Sequence, residues 1–326
     1  HRVLGDLTLV IALGLAFRTG LVGRLRGGAP LPDTPGAHRL LALLRAGGLV
    51  SEAAGGWRLS PEFAAELDRR PGALEARIAF AGQAAVDLIA HGEAWLGDCE
   101  AFTARAGTFG VFDYAEAAKT SAAALERTGR WVAYVTALSA EEAPVLAPLL
   151  PLEGCATLLE PGGNTGEMAL ACLARHPGLA ATILDLPAVC WHGERHAAGR
   201  AGRDRLRFHP GDMREGGWPL VRDAPAKAVL FKSVLHDWTD AAAEELIDRA
   251  VAYLPPGGRI VVCERGRVED EAAFGGTGAV PDLLFAPFYR SPEWYEAAFR
   301  ARGLRLGDRR SAAIGMTFHV AWAEKP

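Results

Sequence analysis

Apolar positions recur at helical spacing through the N-terminal part of the chain. Leu40, Leu41, Leu43 and Leu44 form one apolar helix face, which stops at Gly47-Gly48. A short extended stretch follows, Leu49-Val50-Ser51, then a turn at Gly55-Gly56 and a second extended stretch, Trp57-Arg58-Leu59. Ser60-Pro61-Glu62 opens the next helix, since serine caps well and proline suits the first turn. Helix, small hairpin, helix is a winged-helix outline. From 73 to 150 the pattern stays helical, with an interruption around 107–112.

At Cys155 the period changes. Short β-rich runs at 155–160, 181–185, 206–209, 228–233 and 259–264 alternate with helical stretches such as 167–175 and 241–254. Strands separated by helix-length segments predict βαβ units and a Rossmann-like, doubly wound parallel sheet, an α/β fold. A last pair of runs, 304–307 and 317–323, predicts an antiparallel hairpin on its edge. The expected organisation is a helical domain over 1–103 and an α/β domain over 104–326.

Composition narrows the function classes. The 326 residues suffice for two domains, and 50% hydrophobic with 23% charged residues is ordinary globular composition. A net charge of −4 argues against a protein built to neutralise phosphates. The apolar run over 7–17 is well short of the roughly 20 residues a spanning helix needs, and no basic leader precedes it, so neither a membrane span nor a signal peptide is expected. The chain opens on His1 rather than Met, as a trimmed chain would. Cys99, Cys155, Cys172, Cys190 and Cys263 are scattered and form no CxxC pair, which fits a reducing cytoplasm better than a disulfide framework or a zinc site. Arginine far outnumbers lysine, which occurs only at 119, 227, 232 and 325; this matches a GC-rich bacterial source.

Three signals stand at the ends of three successive strands. The first strand runs into Glu160-Pro161-Gly162-Gly163-Asn164-Thr165-Gly166, where glycines let a ligand approach the main chain. No Gly-Lys-Ser/Thr follows, so this is not a P-loop, and Glu167 at the helix start disfavours a pyrophosphate. The second strand ends at Asp185, followed by Leu186-Pro187. Its carboxylate suits the two hydroxyls of a ribose, with helix capping as the plainer alternative. After the third strand, Gly211-Asp212-Met213 offers an acid for an adenine amine and a thioether for its ring; a plain turn is the alternative. Together they outline a nucleoside site at the carboxyl edge of a parallel sheet.

The fourth segment is the most specific: Phe231-Lys232-Ser233-Val234-Leu235-His236-Asp237-Trp238, a helix, then Leu254-Pro255-Pro256-Gly257-Gly258. With it the sequence resembles the S-adenosylmethionine-dependent small-molecule O-methyltransferases of the caffeate/hydroxyindole type, bacterial natural-product branch. The shared pattern covers 155–264: glycine loop, Asp-Leu-Pro, Gly-Asp-Met, Leu-His-Asp-Trp and Leu-Pro-Gly-Gly, in order. The resemblance implies a class I methyltransferase domain, an N-terminal winged-helix-like dimerisation domain, and S-adenosyl-L-methionine as cofactor with S-adenosyl-L-homocysteine as product. It puts Gly162 and Gly166 beneath the methionine part of the cofactor, Asp185 at the ribose, Asp212 and Met213 at the adenosine and Lys232 at the floor, with Glu160 and Leu186 also among the cofactor-binding residues. His236 matches the general base, and Glu264 the carboxylate that orients it. Tyr289, before Arg290-Ser291, stands where a second acid is usual, and the 282–290 segment is shorter than usual. Glu160-Pro161 replaces the more common Asp-Val/Ile.

These implications favour methylation of a hydroxyl on an aromatic or polyketide-like small molecule in bacterial secondary metabolism, antibiotic biosynthesis included, by a cytoplasmic homodimer. The alternatives are methylation of carbon, on an aromatic ring or α-keto acid, and non-methylating use of the same cofactor. A winged-helix DNA regulator is a remote one, since His38, Arg39 and Arg45 are the only candidate cations for a recognition helix. No metal is expected, because a facial triad at His236-Asp237 lacks a third ligand. His192 and His196, one helical turn apart, are expected on solvated surface.

Overall fold

The computed structural model describes residues 2–53, 56–69, 72–110, 112–216, 218–219, 227–266, 279–314 and 316–326. The chain forms two compact units, His1–Gly110 and Val111–Pro326.

The first unit begins with α1 (Arg2–Arg18), α2 (Leu21–Gly27) and α3 (Pro35–Ala46), whose N-terminus is capped by Thr34. Strands β1 (Val50–Ala53) and β2 (Gly56–Leu59) pair antiparallel with Val50 opposite Leu59, and α4 (Pro61–Arg69) follows; Gly55 of the expected turn lies outside the described residues. Leu41 and Leu44 of α3 point into a core with Ala16, Leu21, Val50 and Phe63. The long α5 (Ala73–Gly97) bends at His91, and α6 (Cys99–Thr103) and α7 (Gly107–Gly110) close the unit. The interruption expected around 107–112 therefore contains a helical turn. Asp87 of α5 caps it, its carboxylate accepting the Gly107 and Thr108 amides at 3.0 and 2.7 Å. Among the described residues no single helix is long and apolar enough to cross a membrane.

The second unit opens with α8 (Tyr114–Ala117) and α9 (Ala122–Leu146). Then β3 (Thr157–Pro161), α10 (Glu167–Arg175), β4 (Ala180–Asp185), α11 (Pro187–Ala197), β5 (Leu206–Pro210), β6 (Lys227–Lys232), α12 (Asp240–Tyr253) and β7 (Arg259–Arg265) alternate. The chain ends with α13 (Ala279–Phe285), α14 (Pro292–Ala301), β8 (Arg305–Leu306), β9 (Arg310–Ala313) and β10 (Thr317–Glu324). Sheet order is β5-β4-β3-β6-β7-β10-β8, with β9 also on β10. The first five are parallel, and β10 runs antiparallel to β7 with His319 opposite Glu264. The central strands are apolar on both sides because helices cover both faces. Leu158, Leu230 and Val261 pack with residues of α9 and α10, whereas Leu159, Phe231 and Val262 pack with residues of α12 and α14.

Two details differ from the sequence expectation. Cys155 lies before the first parallel strand, its amide donating to Leu152 in a turn. At the C-terminus, β10 is inserted beside β7 and pairs with both β8 and β9; β9, a run of small and polar residues, carries no apolar alternation that would announce it.

Candidate active site

The carboxyl ends of β3, β4, β5 and β6 surround one pocket with about 690 Å³ of non-atom space, part of it open to solvent. Each strand end turns away differently, and the turns decide what faces the pocket. After β3, Gly162 has φ +70, and a Cβ there would meet Val234 at 2.8 Å, so the loop closes only on glycine. Asn164 and Ser233 hold left-handed backbone without being glycine, φ 51 and 54, and both line the pocket. Strain of this kind concentrates where side chains must be aimed.

Asp185 ends β4. Its Oδ2 accepts the Asn164 amide at 2.9 Å and its Oδ1 the Leu186 amide at 2.8 Å, while α11 starts beyond it with no side-chain cap. The carboxylate thus ties the glycine loop to the second strand rather than capping the helix. Each oxygen keeps a second lone pair for a ligand. Burial pushes its carboxyl up to about 6, against the two amides. Glu160 is 2% exposed beneath the loop with Oε2 unpartnered, and burial pushes it up to about 8. Gly166 starts α10.

After β5, Asp212 and Met213 line the pocket as expected, but Asp212 is already engaged. Arg214 grips it through Nε at 2.9 Å and Nη2 at 2.5 Å, holding its pKa low, and lies over the Trp238 ring at 4.8 Å. Lys232 shares a sheet face with Ala228 and Leu230 of β6, the face covered by α9 and α10. Its Nζ pairs with Glu142 of α9, whose other oxygen accepts from Arg265 at 2.7 Å. Burial would raise Glu142, but Arg265 and Lys232 outweigh it and hold it down at about 2.

Beyond Ser233 the chain forms a single tight turn, Leu235–Asp237, and its shape is set by Glu264 at the end of β7. Glu264 is 2% exposed. Its Oε1 accepts the Val234 and Leu235 amides at 2.8 and 2.7 Å, and its Oε2 takes His236 Nδ1 at 2.6 Å. That contact makes Nδ1 the donor and leaves Nε2 as the basic atom. Asp237 Oδ1 lies 3.4 Å from Nε2, and Asp237 Oδ2 accepts from Tyr114 OH at 3.0 Å. Burial would depress the His236 pKa, but the Glu264 and Asp237 charges outweigh it and raise it above 6.5. Tyr289 stands edge-on to His236 with ring centroids 5.5 Å apart, and burial drives its pKa up. A base at that position would need the opposite shift.

Sequence reasoning missed the aromatic wall. Phe112, Tyr114, Trp131 and Trp238 line the pocket, Tyr114 lying 5.8 Å from Trp238 and 6.1 Å from Trp131. Only Trp238 carried a motif; Tyr114 and Trp131 sit on helices where an aromatic looks like core, and Phe112 in the bend before α8. The solvated placement expected for His192 and His196 is corrected: His192 Nε2 contacts the Leu125 carbonyl at 2.9 Å, and His196 meets Glu167, both half-buried on α11. Among the described residues no group of three or more His, Cys, Asp or Glu is arranged to hold a metal ion.

The pocket fits a cationic nucleoside. Trp131 Nε1, Trp238 Nε1, Asn164 Oδ1 and Ser233 Oγ are buried on its wall without partners among the described residues, a mixed donor and acceptor set suited to a polar ligand. Asp185, Asp212 and Asp237 against Arg214 favour positive charge, and the rings suit a sulfonium and a flat base.

Residues 101–279, more than half of the chain, match the O-methyltransferase domain family. The mitomycin biosynthesis 6-O-methyltransferase of Streptomyces lavendulae is 32% identical over 173 residues, 52% of this chain and 47% of that protein. The chain thus spans about half the length of the curated relatives it matches. The structure of mitomycin 7-O-methyltransferase superposes with TM-score 0.73 at 22% identity, covering 99% of this chain and 96% of that one. Human N-acetylserotonin methyltransferase in complex with S-adenosylmethionine gives 0.67 at 20%, covering 99% and 97%. The chain belongs to the O-methyltransferase domain family and carries the fold of the class I S-adenosylmethionine-dependent methyltransferases.

Proposed function

We propose that this chain transfers a methyl group from S-adenosylmethionine to a hydroxyl of an aromatic or polyketide-like small molecule, with His236 as general base. The observation that carries the reading is the buried Glu264–His236 pair beside a pocket suited to that cofactor. Bound cofactor supplies an electrophilic methyl on a good leaving group. Asp185 receives the ribose hydroxyls beside Leu186, while Asp212 and Met213 face the adenine. Gly162 and Gly166 shape the loop under the methionine part, with Glu160 and Lys232 buried below it. Glu264 fixes the imidazole, and Nε2 takes the proton of the acceptor. A phenol near pKa 10 needs that help at neutral pH, and a histidine raised above 6.5 gives it a closer proton match. The mitomycin name of one relative supports a role in bacterial secondary metabolism. The buried free cysteines Cys155, Cys172, Cys190 and Cys263 suit a cytoplasmic setting. We assign the first unit to winged-helix-like dimerisation.

The test uses isotopically labelled S-adenosylmethionine with phenolic acceptors, the methyl position being read by mass spectrometry and NMR. His236→Ala should cut turnover by roughly 10²–10⁴ with cofactor affinity nearly unchanged and partial recovery at high pH. The base must be neutral to act, so kcat/KM should rise with pH through a pKa above 6.5. Glu264→Gln, which removes a charge that stabilises the imidazolium, should move that limb to lower pH. Wild-type turnover in His236→Ala would refute the base, and methyl found on carbon would refute the acceptor class.

A further inference from the structure

Tyr289 is 7% exposed, and among the described residues its hydroxyl has no hydrogen-bond partner. Around it stand Arg265, Asp282, Glu264 and Tyr134 as charged or titratable neighbours, and the ring of His236 lies against its own. Phe285 also flanks His236, at 6.4 Å. A buried donor left without an acceptor is costly, so the fold retains one where something outside the protein completes it. Burial keeps this phenol protonated, which makes it a donor and not a proton acceptor. The Arg265 charge beside it strengthens the donor.

We propose that Tyr289 donates a hydrogen bond to a second oxygen of the acceptor molecule. It thereby selects aromatic acceptors in which a carbonyl, quinone or ionised oxygen stands next to the hydroxyl that is methylated. The inference rests on the reading of His236 as base, because His236 fixes where the reacting hydroxyl lies. Oxygens on neighbouring positions of one aromatic frame lie within about 3 Å, a hydrogen-bond length, so one frame can meet Nε2 and the phenol together.

The experiment compares 2-acetyl-1-naphthol with 1-naphthol. Dissociation constants are measured by calorimetry on enzyme saturated with S-adenosylhomocysteine, so the readout does not depend on turnover. The wild type should prefer the acetyl compound, and Tyr289→Phe should lose roughly fivefold of that preference while 1-naphthol affinity stays level. Thermal stability should hold or rise, since the variant removes only an unpartnered hydroxyl. Equal weakening of both ligands, an unchanged ratio, or binding of neither ligand would overturn the proposal. Turnover retained in His236→Ala, with the Tyr289→Phe ratio shifted as expected, would instead sink the base reading alone.

Discussion

At the scale of single residues, Glu160 is the side chain most out of keeping with its surroundings. It is an acid under the glycine loop, shifted to about 8 by burial, with one oxygen unpartnered. A carboxyl whose native pKa lies above its unfolded value of 4.5 holds a proton that the unfolded chain has lost. Stability of the ligand-free protein should therefore fall as pH rises from about 4.5 to about 8, by at most about 1.4 kcal/mol per unit from this group. Glu160→Gln should flatten that slope and should be more stable than wild type at pH 8, as urea titrations at several pH values would read. An unchanged slope would mean that the acid is ionised in the folded state.

At the scale of elements, α9 is held to the sheet by charge as well as by apolar packing. Glu142 joins Lys232 at the end of β6 to Arg265 at the end of β7. Glu142→Ala leaves Lys232 buried and Arg265 half-buried without their counter-ion and should cost about 3–5 kcal/mol in chemical denaturation. Because Glu142 is held down at about 2, its contribution is complete above pH 4.5 and is lost as pH falls toward 2. A loss under 1 kcal/mol would show that solvent reaches the pair. This bridge was invisible in the sequence, where Glu142 read as one more polar position of a helix. The parallel strands were legible, because continuous apolar runs such as 228–231 need helices on both faces. The placement of Asp185 and Asp212 on the pocket wall was legible too, since Asp185 ends β4 and Asp212 closely follows β5. Tyr114 and Trp131 were not: their part in the pocket comes from how α8 and α9 pack, and no local pattern encodes that. The grip of Arg214 on Asp212 was likewise hidden, since sequence spacing says nothing of where a flexible guanidinium settles.

At the scale of the whole molecule, the first unit exposes apolar side chains that a monomer would leave wet. Leu7 and Ile11 of α1 are 51% and 62% exposed, and Ile89 and Leu96 of α5 are 86% and 80%. Light scattering should give twice the chain mass at micromolar concentration, and Ile89→Asp should shift it toward the single-chain value. A single-chain mass for the wild type would remove the dimer. The pocket has a consequence of another kind, which lies in time. Its walls come from β3 and β4, which pair across one short crossover, and from β6, which pairs with β3 across the longer stretch of α10, β4, α11 and β5. Closing the longer loop is the slower event. Ligand affinity is therefore expected to recover later than secondary structure when the unfolded chain is refolded.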